Sequence, residues 1–387
     1  MSQIIIIGGG IAGLAATLAL QQQGKTVRLF EQAHEFGEVG AGLTLSQPAS
    51  RGLFSLGLRP QIEATADIPV RAGGADYKTG EAFGGPDRIA EARAAGDIPY
   101  FYQLHRADMH AILLDAVMAA DPQTISLNRR CVRVDQDADS ATAIFEDGGT
   151  ARGEVVIGAD GINSRIRSLM FGEEQPRFTG QVAYRFLVPT ERVQQFMSLG
   201  PSVNFVGPNR GLLRYVIRHG SLVNGVAFVR TDSWTGEGWS TPVDTAELME
   251  KFEGWTEDVM GLLRNAPKDG TRKWALFDRD PLPQWTQGRI TLMGDAAHPM
   301  LPFLGLGAAM GIEDAVVLGR ALGATTEAQA GLQVYEKTRR ERANFVLLAS
   351  RHRGEVLQAD DKAKAKASYS DNEDLITYDP ATVPLAA

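Results

Sequence analysis

Three glycines near the N-terminus have the spacing of a turn that binds the pyrophosphate of a dinucleotide. They are Gly8, Gly10 and Gly13. The first permits a tight turn, the second lets a phosphate approach the backbone, and the third allows close packing of helix on strand. The phosphates would then meet the positive end of the helix dipole. Glu31 lies at the distance along the chain where a carboxylate can hydrogen-bond a ribose.

The segments around these glycines have the pattern of a strand–helix–strand unit. Residues 4–7 are four isoleucines, typical of a strand that is buried on both faces of a sheet. Residues 14–23 predict a helix that ends at Gly24, and residues 26–30 predict a second strand that ends beside Glu31. This unit predicts a dinucleotide site but does not distinguish FAD from NAD.

Two later aspartates also follow apolar, strand-like runs. Asp160 comes after residues 155–158 and begins a D-G-x-x-S-x-x-R segment. Asp295 comes after residues 290–293, within the segment G-D-A-A-H-P. Each aspartate alone could be only the N-cap of a helix. Their shared position after strands indicates that three separated segments of the chain return to one sheet.

A region of different pattern lies between these motifs. Alternating apolar and polar side chains predict antiparallel strands there. These strands cover residues 182–188, 212–217 and 224–229. Residues 331–357 are charged and periodic, and they predict a long helix. The chain therefore combines an α/β pattern with a second, antiparallel β-sheet lobe.

The three motifs, in this order, resemble those of the class A flavoprotein monooxygenases, the group of para-hydroxybenzoate, salicylate and 3-hydroxybenzoate hydroxylases. The resemblance covers Ile4 to about Leu357. It implies an α/β fold with a glutathione-reductase-type, Rossmann-like FAD-binding domain, an antiparallel β-sheet substrate lobe and a long C-terminal helix. It divides the chain into an FAD-binding domain of residues 1–72, 101–175 and 276–358, a substrate-binding lobe of residues 73–100 and 176–275, and a C-terminal tail or docking extension of residues 359–387.

By this resemblance FAD is bound tightly and without a covalent link. Asp295 holds its ribityl chain, Arg106 contacts the flavin, and the backbone of Val132 touches adenine. Asp160 lies where the pyrophosphate meets a passing nicotinamide cofactor, and the loop 38–42 runs under the isoalloxazine. The full set of implied cofactor residues is Gly8, Gly10, Ala12, Gly13, Glu31, Gly42, Arg106, Val132, Asp160, Gly294, Asp295, Gly305, Gly307 and Ala308.

The loop of residues 299–310 is expected at the reacting edge of the flavin. Its N–H groups and the dipole of the helix that follows would stabilise negative charge on reduced flavin, and Pro302 stiffens the loop. Members of the family usually have Gly-Gln-Gly where this chain has Gly305-Leu306-Gly307. Leu306 is therefore expected to face the ring pocket and to affect substrate orientation.

Tyr215 matches a family position that faces the ring substrate, where its hydroxyl could orient a phenol or help to deprotonate it. The alternative is a structural strand tyrosine. Relatives place a histidine where this chain has Gly211, which makes Arg214 and His219 the next polar candidates. The candidate catalytic residues are thus Tyr215, Pro302 and His219, and the candidate substrate-binding residues are Tyr215, Thr44, Gln47 and Leu306.

A neighbouring pair, Tyr184 and Arg185, matches another strand of the family and is interpreted as structural. The resemblance implies hydroxylation of a small phenolic or hydroxypyridine-type ring, with O2, through a flavin C4a-hydroperoxide. NADH or NADPH would be a transient co-substrate, since no second GxGxxG motif is present. Two alternatives are oxygenation of a larger non-benzenoid molecule such as an antibiotic, which Leu306 and Gly211 favour, and a non-catalytic FAD redox sensor.

The resemblance implies a small aromatic substrate as partner, and composition argues against other classes of partner. The chain has 387 residues, a net charge of −8 and an isoelectric point near 5.4, which argues against nucleic acid. Its six histidines show no ligand spacing, so no metal site is expected. Cys131 is its single cysteine, which excludes an internal disulfide and predicts a cytoplasmic protein. We see no signal peptide or membrane-spanning run, and we expect a monomer or homodimer.

Overall fold

The computed structural model describes residues 3–37, 41–69, 73–83, 94, 100–232, 234, 241–357 and 373–386. Its strands are β1 Gln3–Ile7, β2 Thr26–Phe30, β3 Gly42–Leu45, β4 Gly73–Asp76, β5 Ala82–Phe83, β6 Tyr102–His105, β7 Ile125–Ser126, β8 Cys131–Gln136, β9 Ala141–Phe145, β10 Thr150–Gly153, β11 Val155–Gly158, β12 Arg177–Pro189, β13 Val203–Gly207, β14 Arg210–Ile217, β15 Leu222–Arg230, β16 Thr241–Pro242, β17 Arg272–Asp278, β18 Thr286–Gln287 and β19 Ile290–Leu292. Its helices are α1 Ile11–Gln22, α2 Gln47–Ser55, α3 Arg59–Thr65, α4 Arg106–Ala120, α5 Arg165–Phe171, α6 Thr245–Lys251, α7 Glu257–Arg264, α8 Gly307–Ala324, α9 Ala328–Leu357 and α10 Glu373–Ile376.

A six-stranded sheet carries the glycine turn and both aspartate motifs. Its strand order is β18-β19-β11-β1-β2-β7, and β19, β11, β1, β2 and β7 run parallel. The prediction that three separated segments return to one sheet is therefore confirmed. Ile5 and Ile6 are completely buried because both faces of β1 are covered. Since parallel strands end at the same edge, the glycine turn, Asp160 and Asp295 all lie at that edge.

A second, eight-stranded sheet forms the other lobe. Its order is β16-β17-β12-β15-β14-β13-β4-β5, and the three strands predicted from alternation are confirmed as antiparallel neighbours. One pair differs from the prediction, because β4 runs parallel to β13. β4 comes from the first third of the chain and joins an edge whose direction is already set by the hairpin of β13 and β14. A three-stranded sheet, β10-β9-β8, and the pair β3-β6 complete the topology of the described residues.

The glycine turn allows a close approach of α1 to the sheet. A Cβ atom on Gly13 would overlap the carbonyl oxygen of Gly8, and one on Gly8 would overlap the backbone of Ala159. Gly10 differs, because no atom of its surroundings lies within 4 Å of a Cβ placed there. Two glycines of the motif thus serve packing, and the middle one borders open space, as a phosphate site requires.

A buried carboxylate, that of Asp314 on α8, joins three segments beside this edge. It accepts hydrogen bonds from the Gly294 backbone N–H at 2.9 Å and from the Arg339 Nε at 2.8 Å. His298 Nε2 lies 2.6 Å from the same carboxylate. Burial alone would raise the pKa of Asp314, but His298 and Arg339 hold it well below the ordinary value. The loop after β19 is thereby fixed to α8 and α9.

The C-terminal residues 373–386 lie against the same helices. Arg320 on α8 donates hydrogen bonds of 2.8 Å to the carbonyl oxygens of Pro380 and Val383. The guanidinium of Arg342 on α9 stacks 4.0 Å from the ring centre of Tyr378. Within the part of the chain that the structure describes, no helix is both long and apolar enough to cross a membrane.

We predict that Asp314→Asn lowers the free energy of unfolding by about 3 kcal/mol at pH 7, because a buried cation loses a charged partner. The folded-state pKa of Asp314 is lowered, so its contribution exists above the unfolded pKa of about 3.9 and is lost as the pH falls below it. Urea denaturation of the wild-type protein and of Asp314→Asn at several pH values measures the difference in their free energies of unfolding. Asp135→Asn is the control, because it removes one partner of an exposed ion pair with Arg133. It should lower the free energy of unfolding by less than about 0.5 kcal/mol. Equal losses in the two variants would contradict the role of Asp314.

Candidate FAD and substrate site

A cavity of about 280 Å³ lies between the edge of the parallel sheet and one face of the eight-stranded sheet. Twelve of the residues expected from the sequence line it. They are Gly10, Ala12, Gly42, Thr44, Arg106, Tyr215, Gly294, Asp295, Pro302, Gly305, Gly307 and Ala308. The floor consists mainly of backbone from the glycine turn and the loop after β19. The wall consists of side chains from β12, β14 and β15.

Asp295 lies at the start of the loop after β19 and lines the floor of this cavity. The surrounding protein raises the pKa of its carboxyl, an effect that His298 and Arg106 oppose. Arg167, the arginine of the D-G-x-x-S-x-x-R segment, donates a hydrogen bond of 3.1 Å to the carbonyl oxygen of Ala297. Because Arg167 and Asp314 hold the backbone on either side of it, the position of Asp295 is well fixed.

Several residues that the sequence predicts to bind the cofactor do not line the cavity. The Glu31 carboxylate accepts hydrogen bonds from the backbone N–H groups of Gly9 at 2.7 Å and Ala33 at 2.9 Å. It therefore lies next to the glycine turn, at the end of β2. Val132 lies on β8, where a register shift interrupts the pairing with β9. The loop residues 38–40 lie outside the described residues.

Asp160 binds the first turn of α5, next to the N-cap residue Ser164. Its carboxylate accepts hydrogen bonds from the backbone N–H groups of Arg165 at 2.8 Å and Ile166 at 3.1 Å, and from the Ser164 hydroxyl. These bonds hold the start of α5. The cavity is lined by its neighbours Ala159 and Gly161, so Asp160 positions backbone beside the cavity, and its contact with a cofactor stays a prediction.

Leu306 does not line the cavity either. Its side chain is buried in the hydrophobic core of the parallel-sheet domain and does not line the cavity. Its carbonyl oxygen accepts the N–H of Met310 at 2.9 Å, since Leu306 is the cap of α8. An apolar side chain at this helix start turns into the core, while Gly305 and Gly307 expose backbone to the cavity. Leu306 is therefore not among the residues that line the cavity, although the sequence predicts it in the ring pocket.

The other polar candidates also lie away from the cavity. His219 is exposed in the turn between β14 and β15, and its backbone N–H donates a hydrogen bond to Asp67 Oδ2 at 2.9 Å. Arg214 faces the opposite side of β14 from Tyr215 and pairs with Asp258 at 2.8 Å. Gln47 begins α2 and is likewise outside the lining. The alternation of side chains along a strand separates Arg214 from Tyr215.

Tyr215 lies on the wall, buried against the strand pair β3-β6. A Cβ atom on Gly42 would lie 2.6 Å from its hydroxyl oxygen, and the Gly42 N–H donates to Asn224 Oδ1 at 2.7 Å. Burial raises the pKa of Tyr215 to about 12, although the charge of Arg185 and a hydrogen bond with Thr44 act in the opposite direction. Tyr215 is therefore a neutral hydroxyl at physiological pH.

Arg185 lines the cavity too, although the sequence was interpreted as giving it a structural role. Burial lowers the pKa of its guanidinium, and the nearby charge of Arg106 adds to that effect. In the sequence, Arg185 is recognisable as a charged side chain within the strand pattern of residues 182–188, where apolar side chains alternate. Phe228 forms another part of the wall and stacks on Phe303 of the loop, with 5.0 Å between ring centres.

The site fits FAD in two respects. The open space beside Gly10 suits a pyrophosphate, and the Asp295 carboxylate has no hydrogen-bond partner among the described residues although it suits a ribityl hydroxyl. The side chain of Asp295 is exposed to the cavity, so a bound molecule can reach its carboxylate. No group of acidic, histidine or cysteine side chains in the described ranges could hold a metal ion.

Known proteins show the same combination of sequence and fold. The FAD binding domain family matches residues 1–350. A 3-amino-4-hydroxybenzoate 2-monooxygenase of Streptomyces platensis is 36% identical over 91% of this chain and 87% of that protein. A 6-hydroxynicotinate 3-monooxygenase of Bordetella bronchiseptica is 34% identical over 89% of each chain. A salicylate hydroxylase in complex with its substrate has 29% identity and a TM-score of 0.83, covering 100% of this chain and 99% of the other.

These similarities extend over both lobes and the cavity between them. The motifs at the edge of the parallel sheet, the antiparallel wall and the match across residues 1–350 agree with one another. The resemblance found in the sequence is therefore confirmed, and with it the use of FAD together with NADH or NADPH and O2. The chain belongs to the FAD binding domain family, among the class A flavoprotein monooxygenases.

Proposed function

We propose that this enzyme hydroxylates a small aromatic ring that already carries a hydroxyl group. The observation that carries the proposal is the hydroxyl of Tyr215, placed on an otherwise largely apolar wall opposite the cofactor floor. Leu213 and Phe228 supply apolar surface on the same wall. The relatives named above act on aromatic compounds that bear a hydroxyl group, which supports the same class of substrate for this chain.

On this proposal the floor holds FAD through few side chains and much backbone. Gly10 borders the pyrophosphate, Asp295 binds the ribityl hydroxyls, Arg106 contacts the flavin, and Glu31 is placed for the ribose. FAD held there would supply the acceptor for hydride from NADH or NADPH and the activation of O2 for transfer to the ring. The division into an FAD-binding domain and a substrate lobe is retained as part of the proposal.

Tyr215 orients the substrate hydroxyl and favours its ionised form. A phenol with a pKa of about 10 costs roughly 4 kcal/mol to ionise at neutral pH. Because the pKa of Tyr215 is about 12, it is a hydrogen-bond donor at pH 7 and not an anionic base. Donation to a phenolate oxygen stabilises that anion, which makes the ring more reactive toward an electrophilic oxygen.

Pro302 and Phe303 keep water out of the reacting end of the cavity. Pro302 lines the cavity within a short 3-10 turn, and Phe303 joins the loop to Phe228 on the wall. A dry site limits side reactions of activated oxygen with water and protons.

The buried free thiol of Cys131 agrees with the cytoplasmic location that we expect, and a monomer or homodimer stays part of the proposal.

The function is tested with the FAD-loaded protein and a panel of phenols, hydroxybenzoates and hydroxypyridines. We expect one of them to stimulate NADH or NADPH oxidation, and mass spectrometry should detect a product with one added oxygen atom. Stimulation without an oxygenated product would identify an effector instead. If no member of the panel stimulated oxidation, a larger substrate or a redox sensor would replace this proposal.

Tyr215→Phe should keep the FAD content unchanged, because the ring volume is preserved in a packed strand. The loss should fall on hydroxylation, by about 2–4 kcal/mol of transition-state stabilisation, the usual contribution of one positioned group. The ratio of product to oxidised NAD(P)H should fall, and hydrogen peroxide should rise. Reduction of flavin without substrate should continue at the original rate. Unchanged turnover and coupling would return Tyr215 to a structural role.

A further inference from the structure

The three consecutive glycines of the turn differ in what their backbone N–H groups contact. The Gly8 N–H donates to the carbonyl oxygen of Phe30 at 2.9 Å, and the Gly9 N–H donates to Glu31 Oε2 at 2.7 Å. The Gly10 N–H has no hydrogen-bond acceptor among the residues that the structure describes. Gly10 also lines the cavity, beside open space. Of these three N–H groups, that of Gly10 is therefore the one that remains for a phosphate.

The direction of this N–H depends on the carbonyl group of the same peptide unit. The Gly9 carbonyl and the Gly10 N–H belong to one trans peptide, in which the two groups point in opposite directions. Glycines lie on both sides of this peptide, so no Cβ atom opposes its rotation to the reverse orientation. A contact with the carbonyl oxygen therefore decides whether the N–H points toward the cavity.

His110, near the start of α4, makes that contact. Its Nε2 lies 2.8 Å from the Gly9 carbonyl oxygen. Because a carbonyl oxygen can only accept, Nε2 carries the hydrogen and donates it. The imidazole is buried, and 5.0 Å separate its ring centre from that of Phe36. The surrounding side chains thus fix the direction in which His110 donates.

We propose that His110 is a positioning residue of the FAD site, which turns the peptide between Gly9 and Gly10 so that the Gly10 N–H donates to the pyrophosphate. The inference concerns the binding of FAD and does not depend on the substrate proposed above. His110 itself does not contact FAD, since its ring lies on the carbonyl side of the peptide and the phosphate on the N–H side. Loss of its hydrogen bond should weaken binding of the pyrophosphate and leave binding of the flavin ring unchanged.

The test compares His110→Asn with His110→Gln, because the Asn amide is too short to reach the Gly9 carbonyl, whereas the Gln amide can replace Nε2 as the donor. The full chain, freed of FAD, is titrated with FAD and with riboflavin, which lacks both phosphates and the adenosine. Quenching of flavin fluorescence gives each Kd. We expect His110→Asn to raise the Kd for FAD by about 10- to 100-fold, since a hydrogen bond to a charged group loses its orientation. The Kd for riboflavin should not change.

His110→Gln should raise the Kd for FAD by at most about threefold, because it keeps the donor on a more flexible side chain. Leu113→Val is the matched control. Leu113 is completely buried on the same helix, so this variant weakens the packing of α4 without removing the donor. Its ratio of FAD to riboflavin affinity should equal that of the wild-type protein. If His110→Asn does not fold, His110→Leu, which is close in volume to histidine, replaces it as the variant without a donor.

An unchanged affinity of His110→Asn for FAD would overturn the inference. So would equal losses of affinity for FAD and riboflavin, because Arg106 at the start of α4 lines the cavity and a displaced helix would disturb the flavin end of the site as well. A His110→Gln variant that binds FAD as weakly as His110→Asn would show that donation to the Gly9 carbonyl does not set the affinity.

Discussion

The buried carboxylate of Asp314 connects the parts of the molecule that define the cavity floor. It accepts hydrogen bonds from the loop backbone at Gly294 and from Arg339 on α9, while it is itself part of α8. His298 adds a further contact at 2.6 Å. Because a buried charge is tolerated only with such partners, the loop, α8 and α9 must assemble in one arrangement. The location of Asp295, one residue after Gly294, follows from that arrangement.

Floor and wall of the cavity are built on different principles. The floor consists of backbone at Gly10, Gly305 and Gly307, where side chains would obstruct a cofactor. The wall consists of side chains on antiparallel strands, which alternate between the cavity and the opposite face of the sheet. Exchange of a wall residue such as Leu213 or Val226 alters the pocket without disturbing the floor. Such a division allows one cofactor site to serve many substrates.

The sequence predicts the floor well because its chemistry depends on local backbone geometry. Four isoleucines before a glycine turn permit few alternatives, and the parallel sheet follows from them. The roles of the other site residues depend on tertiary packing. A capping aspartate and a ligand-binding aspartate share one spacing, so the role of Asp160 becomes visible only with its hydrogen bonds to α5. Likewise, the start of α8 turns Leu306 into the core, which no local pattern indicates.

The wall was predicted less well for a related reason. Alternation shows that Arg214 and Tyr215 face opposite sides, but it does not show which side meets the cofactor. The cross-strand register supplies that information, since Arg185 aligns with Val226 and Val226 with Leu213. An arginine within an apolar strand is compatible with either an internal ion pair or a ligand.

Arg214 and Arg185 differ in how their positive charge is balanced. Arg214 meets Asp258, so its positive charge is neutralised within the protein whether or not a ligand is present. Arg185 has no such partner among the described residues and shares the cavity with Arg106. Arg185 therefore places a positive charge on the wall of the cavity, beside the hydroxyl of Tyr215.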